Sequence, residues 1–145
     1  MIVAVANQKG GVGKTATVVE CAYLLAKDHR VLVVDLDGQA NATQHITGIV
    51  PTKGVYNLLT EPKTVWQDLL MDAVGDWGQL AVLPATRPLD TLERAIEQDR
   101  LQRELMLDEV LTPIRPYFDF ILIDNAPAMD LRAVNSLCAS DFYLV

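Results

Sequence analysis

The chain has 145 residues, a common size for one domain, and 50% of them are hydrophobic against 21% charged, which excludes an intrinsically disordered chain. Its 12 Lys and Arg against 19 Asp and Glu leave a formal net charge of -7, which argues against a broad nucleic-acid surface but not against a small basic patch. Met1 leads straight into a short apolar segment with no basic leader, and no apolar run is long enough to span a bilayer, so a cytoplasmic protein without membrane attachment is expected.

Ile2 to Ala6 reads as a buried parallel strand, short, apolar and closed by glycine signals. The run Lys9-Gly10-Gly11-Val12-Gly13-Lys14-Thr15 follows at once. A helix is expected from near Lys14, with Val18, Ala22 and Leu25 on one apolar stripe, Val19 beside it, and the polar turn Lys27-Asp28-His29-Arg30 as its end. Arg30 to Asp35 is a second strand, too continuously apolar for a sheet with one wet face. Strand, glycine loop, helix and strand make a βαβ unit, which is right-handed in nearly every protein.

From Asp37 to about Asp76 the pattern blurs. Residues 52–60 carry a short apolar patch (Val55, Leu58, Leu59), and 65–73 suit a short helix. Gln79 to Pro84 returns to strand character. Asp90 with Glu93 reads as an N-cap and its N3 partner, opening a helix that carries Leu92, Ala95, Ile96, Leu101, Leu105 and Val110 and stops at Pro113. Phe118 to Asp124 is a further buried strand, Asp130 to Ala139 a helix, and Phe142 to Val145 the start of another strand. The expected fold is an α/β P-loop domain over residues 1–145, a mainly parallel sheet flanked by helices, with the Asp124 strand close to the strand that feeds the glycine loop. A parallel sheet needs cover on both faces, so strand character at Val145 implies a partner's shield or, as the preferred expectation, the N-terminal part of a longer domain.

The glycine run carries the chemistry. Gly10, Gly11 and Gly13 let backbone N–H groups converge on anionic oxygens because no Cβ blocks the approach. Lys14 suits the β and γ phosphates of a nucleotide, and the Thr15 hydroxyl suits Mg²⁺. Lys9 places a second positive charge near the triphosphate or near a partner's. The strict phosphate-loop pattern is missed, since Gln8 stands where a glycine is ordinarily found.

Asp35 and Asp37 lie at the C-terminal end of a core strand, where open α/β sheets place ligands. A carboxylate pair beside a metal-bound triphosphate orients water. Asp124, closing its strand, is the acidic contact expected to reach Mg²⁺ through water. Cys21 and Cys138 read as buried thiols, His29 and His45 are too loosely placed to be metal ligands, and Trp66 and Trp77 read as packing residues.

Taken in order, Lys9-Gly10-Gly11-Val12-Gly13-Lys14-Thr15, Asp35-Leu36-Asp37-Gly38-Gln39-Ala40-Asn41-Ala42-Thr43, Leu80-Ala81-Val82-Leu83-Pro84-Ala85 and Ile121-Leu122-Ile123-Asp124-Asn125-Ala126-Pro127 resemble the successive motifs of the ParA/Soj partition ATPases, in the ParA/MinD group with a deviant Walker A loop. The resemblance runs from Val3 to Val145. It implies ATP and Mg²⁺ as cofactors and an ATP-driven sandwich homodimer in plasmid or chromosome partition or cargo positioning. It implies a centromere-binding or adaptor protein as partner, with nucleoid association where the whole protein binds DNA. Nucleotide would be held by Lys9, Gly10, Gly11, Val12, Gly13, Lys14, Thr15 and Ala16. Lys9 would act across the dimer interface, Lys14 within its own subunit, Thr15 and Asp124 on Mg²⁺ with Asp35 in support, and Asp37 on the hydrolytic water.

Three departures stand out against that family. Ala16 replaces a second Thr and removes a phosphate-contacting hydroxyl, Gly38 replaces the usual Pro and loosens the switch loop, and Asn125-Ala126-Pro127 keeps only the later of two prolines. The family's adenine pocket and its basic DNA-binding residues come later than residue 145, so DNA binding by this chain alone is not expected. The alternative function is a nucleotide-binding or interaction module without effective hydrolysis. A nitrogenase-iron-protein-like role is disfavoured by the lack of a paired cysteine site.

Overall fold

Apolar runs that alternate between two faces need cover on both, and that demand organises this molecule. The computed structural model describes residues 1–96 and 102–145. In its first half β1 (Ile2–Val5) is followed by α1 (Lys14–Leu25), β2 (Val31–Asp35), α2 (Asn41–Thr47) and α3 (Val55–Thr60). A two-residue β3 (Met71–Asp72), β4 (Leu80–Leu83), α4 (Leu92–Ala95) and α5 (Met106–Leu111) come next. The chain finishes with β5 (Phe120–Asp124), α6 (Leu131–Ala139) and β6 (Phe142–Leu144).

The strands form one sheet in the order β3-β4-β2-β5-β1-β6, parallel except for the antiparallel edge strand β3. The expected adjacency holds: β5 lies between β1 and β2, with Asp124 in register with Val5 on one side and Asp35 on the other. Both faces of the inner strands are covered, whereas Phe142, Tyr143 and Leu144 of the edge strand β6 stay exposed. Ile2, Ala4, Leu32, Val34, Ile121 and Ile123 pack beneath Leu107 and Leu111 of α5 and Leu131 of α6. On the other face Val31, Val33, Val82 and Leu122 meet Val18, Val19 and Ala22 of α1 and Ala42 and Ile46 of α2. Every residue of β2 is buried, and each fully buried Val or Leu there contributes about 1.5–3 kcal/mol.

Three expectations need correction. Residues 65–73 form a single 3₁₀ turn at Trp66–Asp68 and then β3, because Met71 and Asp72 pair with Val82 and Ala81 and extend the sheet edge. The continuous helix from Asp90 to Pro113 is also broken. Arg87–Thr91 is a 3₁₀ turn opened by Pro88, α4 ends where Ile96 turns extended, and α5 begins anew at Met106. Leu101 lies outside the described residues. Asp90 is no N-cap: its carboxylate accepts from Arg132 Nη1 at 2.7 Å instead. Finally, the thiols are not buried. Cys21 is half-buried and Cys138 exposed, since α6 turns Leu131, Ala133, Asn135 and Ser136 inward and Cys138 away from the sheet.

Asp130 does cap α6 as a side-chain acceptor, taking the N–H groups of Arg132 and Ala133. His29 sits beyond α1 with its ring edge-on to Phe120, and Trp66 and Trp77 pack on Tyr117 and Tyr23. Among the described residues no helix is long and apolar enough to cross a membrane.

Candidate functional site

The glycine loop joins the C-terminal end of β1 to the N-terminus of α1, so it hangs over the sheet where β5 and β2 also end. Gly11 and Gly13 take φ values of 71° and 93°, backbone that a side chain would strain, and Gly13 is the residue that caps α1. No side chain caps that helix, so its first N–H groups point into the loop without a side-chain acceptor. Lys14 is nearly buried, and its Nζ folds back to donate to the Lys9 carbonyl at 3.3 Å. The Lys9 side chain is exposed, with its backbone N–H donating to Asn7 Oδ1 at 2.9 Å.

A cleft of about 490 Å³ is lined by Gly11, Val12, Gly13, Lys14, Thr15 and Ala16 of the loop and by Asp37, Gln39, Asn41 and Pro127 from neighbouring turns. Gly10 backs onto Pro127. A somewhat larger cleft of about 550 Å³ lies among residues 51–71, away from the loop, and its charged residues Lys53, Glu61, Lys63 and Asp68 are all exposed.

The three aspartates are held very differently. Asp35 is fully buried and fully engaged: Oδ1 accepts the Asp37 N–H at 3.0 Å, and Oδ2 accepts the Thr43 N–H at 2.9 Å and the Thr43 hydroxyl at 2.7 Å. Burial pushes its pKa up to about 6, against the opposing hydrogen bonds from Thr43 and Asp37. Asp35 thus organises the turn that carries Asp37 and the start of α2. Asp37 itself is half-buried and accepts the Gln39 N–H at 2.9 Å.

Asp124 is also fully buried, yet neither of its oxygens makes a well-formed hydrogen bond. Burial drives its pKa up to about 7; the nearby Thr15 hydroxyl favours the charged form, the Asp35 and Asp37 charges oppose it, and the Lys14 ammonium favours it. An unpartnered buried carboxylate is costly in a native structure and calls for a ligand. The set fits Mg²⁺ in its common mode, in which one or two protein oxygens share the ion with water and phosphate. Among the described residues no group of three or more His, Cys, Asp or Glu side chains converges as a closed metal cage.

The sequence singled out the loop residues, Asp37 and Asp124; the loop from Gly11 to Ala16 and Asp37 line one cleft, and Asp124 is buried beside Thr15 and Lys14 of that loop. Lys9 is adjacent but turned outward, and Asp35 lies beneath rather than in the lining. Thr43 and Asn125 were assigned no role from the sequence. Thr43 ties Asp35 to the segment just after β4 by accepting the Ala85 N–H at 3.0 Å on its hydroxyl. The Asn125 amide is buried and bridges the Val5 carbonyl, at 3.0 Å, and the Ser136 hydroxyl, at 2.9 Å, fixing the loop after β5 against β1 and α6. A polar residue following an apolar strand was the available signal.

A family model described as an AAA domain matches residues 1–145. The chain is 39% identical over 147 residues to the chromosome-partitioning ATPase Soj of Thermus thermophilus, covering 99% of this chain and 53% of that protein. It is 36% identical over 148 residues to the sporulation initiation inhibitor protein Soj of Bacillus subtilis, covering 99% of this chain and 56% of the relative. Among solved structures, cobyrinic acid a,c-diamide synthase of Mycobacterium smegmatis with bound ATP analogue and magnesium superposes with a TM-score of 0.86 at 33% identity, over 98% of this chain and 56% of that one. The chain spans about half the length of the curated relatives it matches. Matched end to end by that family model, and similar along nearly its whole length to partition proteins of the Soj type, the chain belongs to the AAA-domain family in its ParA/MinD-type branch.

Proposed function

We propose that the protein is a ParA-like, Mg²⁺-dependent ATPase that uses bound ATP as a switch for homodimerisation in DNA partition or cargo positioning in the cytoplasm. The observation that carries the reading is the buried, unpartnered Asp124 carboxylate beside Thr15 and Lys14, at the foot of a glycine loop whose helix lacks a side-chain cap. The Thr15 hydroxyl and Asp124 would hold the ion, with Asp35 supporting the site from below. Bound Mg²⁺ would supply neutralisation of charge on the phosphate oxygens. Lys14 binds phosphate in its own subunit, and the exposed Lys9 is available to a second copy's nucleotide. Asp37, at the cleft wall, orients the attacking water. Such a site works by positioning and charge stabilisation and needs no covalent intermediate. The partner would be a centromere-binding or adaptor protein.

A second reading, nucleotide binding without effective hydrolysis, is favoured by Ala16, which brings a methyl group rather than a hydroxyl to the cleft. Calorimetric titration with Mg²⁺ and ATP, followed by phosphate release, separates the two. Binding with turnover supports the ATPase, and binding without turnover supports the module. Lys14→Ala should weaken binding at least about tenfold, the loss expected for a charge-assisted contact in a partly desolvated loop. An unchanged dissociation constant in a folded variant would overturn the phosphate assignment.

A further inference from the structure

Gly38 follows Asp37 and is buried, although its φ lies outside the left-handed region. Its lack of a side chain is therefore a matter of space. A Cβ built there would lie 2.5 Å from Asp90 Oδ1 and 2.7 Å from Asp90 Oδ2. The Asp90 carboxylate is seated directly on the backbone of the turn that carries Asp37. Its other contact is Arg132, whose Nη1 donates to Asp90 Oδ1 at 2.7 Å. The same guanidinium donates through Nε, at 2.9 Å, and Nη2, at 2.6 Å, to Asp130 Oδ2. Asp130 in turn accepts the N–H groups of Arg132 and Ala133 and caps α6.

The bridge spans three segments distant in sequence. The Arg132 side chain is only 11% exposed and the Asp90 side chain 51%, so one end is packed and the other is solvated. Burial works against the charge on Arg132, but the hydrogen bonds and charges of Asp130 and Asp90 outweigh it and raise its pKa above the ordinary value. The guanidinium stays charged and holds both carboxylates. The loop between β5 and α6 also carries Pro127, which lines the same cleft as Asp37.

We propose that Asp90 and Arg132 are positioning residues for the Asp37 turn, latching it through the bare backbone of Gly38 to the capped N-terminus of α6. The loop that carries the water-orienting carboxylate and the loop that carries Pro127 are thereby held as one unit. A glycine at position 38 is what lets the carboxylate approach. The consequence for hydrolysis rests on the ATPase reading above; the latch itself does not.

The test reads the latch and the chemistry separately. Amide hydrogen exchange of the metal-free, nucleotide-free protein follows residues 36–40 and the first turn of α6. Asp90→Ala and Arg132→Ala should each speed exchange across 36–40 by about fivefold, as expected for loss of a partly buried charge-assisted contact, and Arg132→Lys should recover part of the protection. Gly38→Ala should push the carboxylate off its seat and mimic Asp90→Ala, and the double variant Gly38→Ala/Asp90→Ala should be no worse than either single change. Asp90 is half-exposed and removing it leaves the core intact, so this arm remains readable if an Arg132 variant misfolds. In turnover assays the Asp90 and Arg132 variants should keep the affinity for Mg²⁺ and ATP within about twofold while single-turnover hydrolysis slows, because the altered contacts lie behind the loop and not against phosphate. Unchanged exchange at 36–40 in Asp90→Ala, or additive losses in the double variant, would overturn the latch. A wild-type chain that protects 36–40 as described but binds no nucleotide would leave the latch standing and remove the ATPase reading instead.

Discussion

Asp35 and Asp124 stand directly opposite each other at the last register position of β2 and β5, both without exposed surface. Identical in type and depth, they are opposite in satisfaction. Asp35 accepts three hydrogen bonds from Asp37 and Thr43, whereas Asp124 accepts none of good geometry. The first is a structural anchor for the turn beside it, and the second is a carboxylate buried beneath the glycine loop without such bonds. Two like charges on neighbouring strands also raise each other's cost, and the pKa of Asp124 is the higher of the two, about 7 against about 6.

A pH dependence follows for the metal-free protein. The folded state keeps the Asp124 proton up to about pH 7, while the unfolded carboxyl releases it near its ordinary value of 3.8. The folded state therefore binds more protons between those limits, and stability must fall as pH rises through that window. Asp35 acts in the same direction up to about pH 6. Asp124→Asn should flatten the decline and stabilise the metal-free chain at pH 8 by about 1–3 kcal/mol, the scale of an unsatisfied buried polar group. Urea denaturation at several pH values measures it. A variant that loses stability at pH 8 would mean that the carboxylate is satisfied in solution.

The sheet was legible because its signals are strong: continuous apolar runs at β1, β2 and β5, the first leading into the glycine loop and the other two ended by an aspartate. Asp124 was found for the same reason, standing at the end of such a run. The middle of the chain was not legible. The helix α2 has no capping signature, since Ala40 takes a φ of 55° before it, and it is anchored instead by the bonds from Thr43 back to Asp35 at the end of β2. The two-residue β3 is too short to show a period and exists only by pairing with β4. Asp90 was misread because its spacing to Glu93 imitates a capping box, while its true partner Arg132 lies 42 residues away. Local pattern cannot announce a contact of that range.

The Asp37 assignment predicts a separation of binding from chemistry. Asp37→Ala should bind Mg²⁺ and ATP within about threefold of the parent and slow single-turnover phosphate release by about 100-fold, a loss typical for a group that positions or accepts a proton from the nucleophile. The Asp37 N–H contact to Asp35 is made by the backbone and survives the change, so the turn should keep its shape. Equal rates for variant and parent would remove Asp37 from the reaction.

Lys9 and Lys14 should part company in solution. Lys14 is nearly buried and turned back along the loop, whereas the Lys9 side chain faces solvent, where a second molecule can meet it. Lys9→Ala should retain nucleotide binding within about threefold, the loss expected for an exposed charge, while abolishing association driven by a non-hydrolysable ATP analogue. Sedimentation velocity with and without the analogue reads both species. If variant and parent associate equally, Lys9 is an ordinary solvated lysine and the dimer must use other contacts.

The acidity of the chain makes a prediction about DNA. Nonspecific duplex binding comes from neutralising phosphates with Lys and Arg, and it weakens steeply as salt rises. Here 19 acidic residues outnumber 12 basic ones, and Arg30, Arg115 and Arg132 are already paired with Asp119, Asp108 and Asp90. A positive surface built from what remains would be small. Fluorescence anisotropy of a labelled random duplex at low salt, with and without Mg²⁺ and ATP, should give no binding by residues 1–145 at micromolar protein. If ATP instead produced binding that disappeared with added salt, dimerisation would have to bring the scattered lysines of two copies onto one face, and Lys53 and Lys63, both exposed beside the 550 Å³ cleft, would be the first side chains to replace.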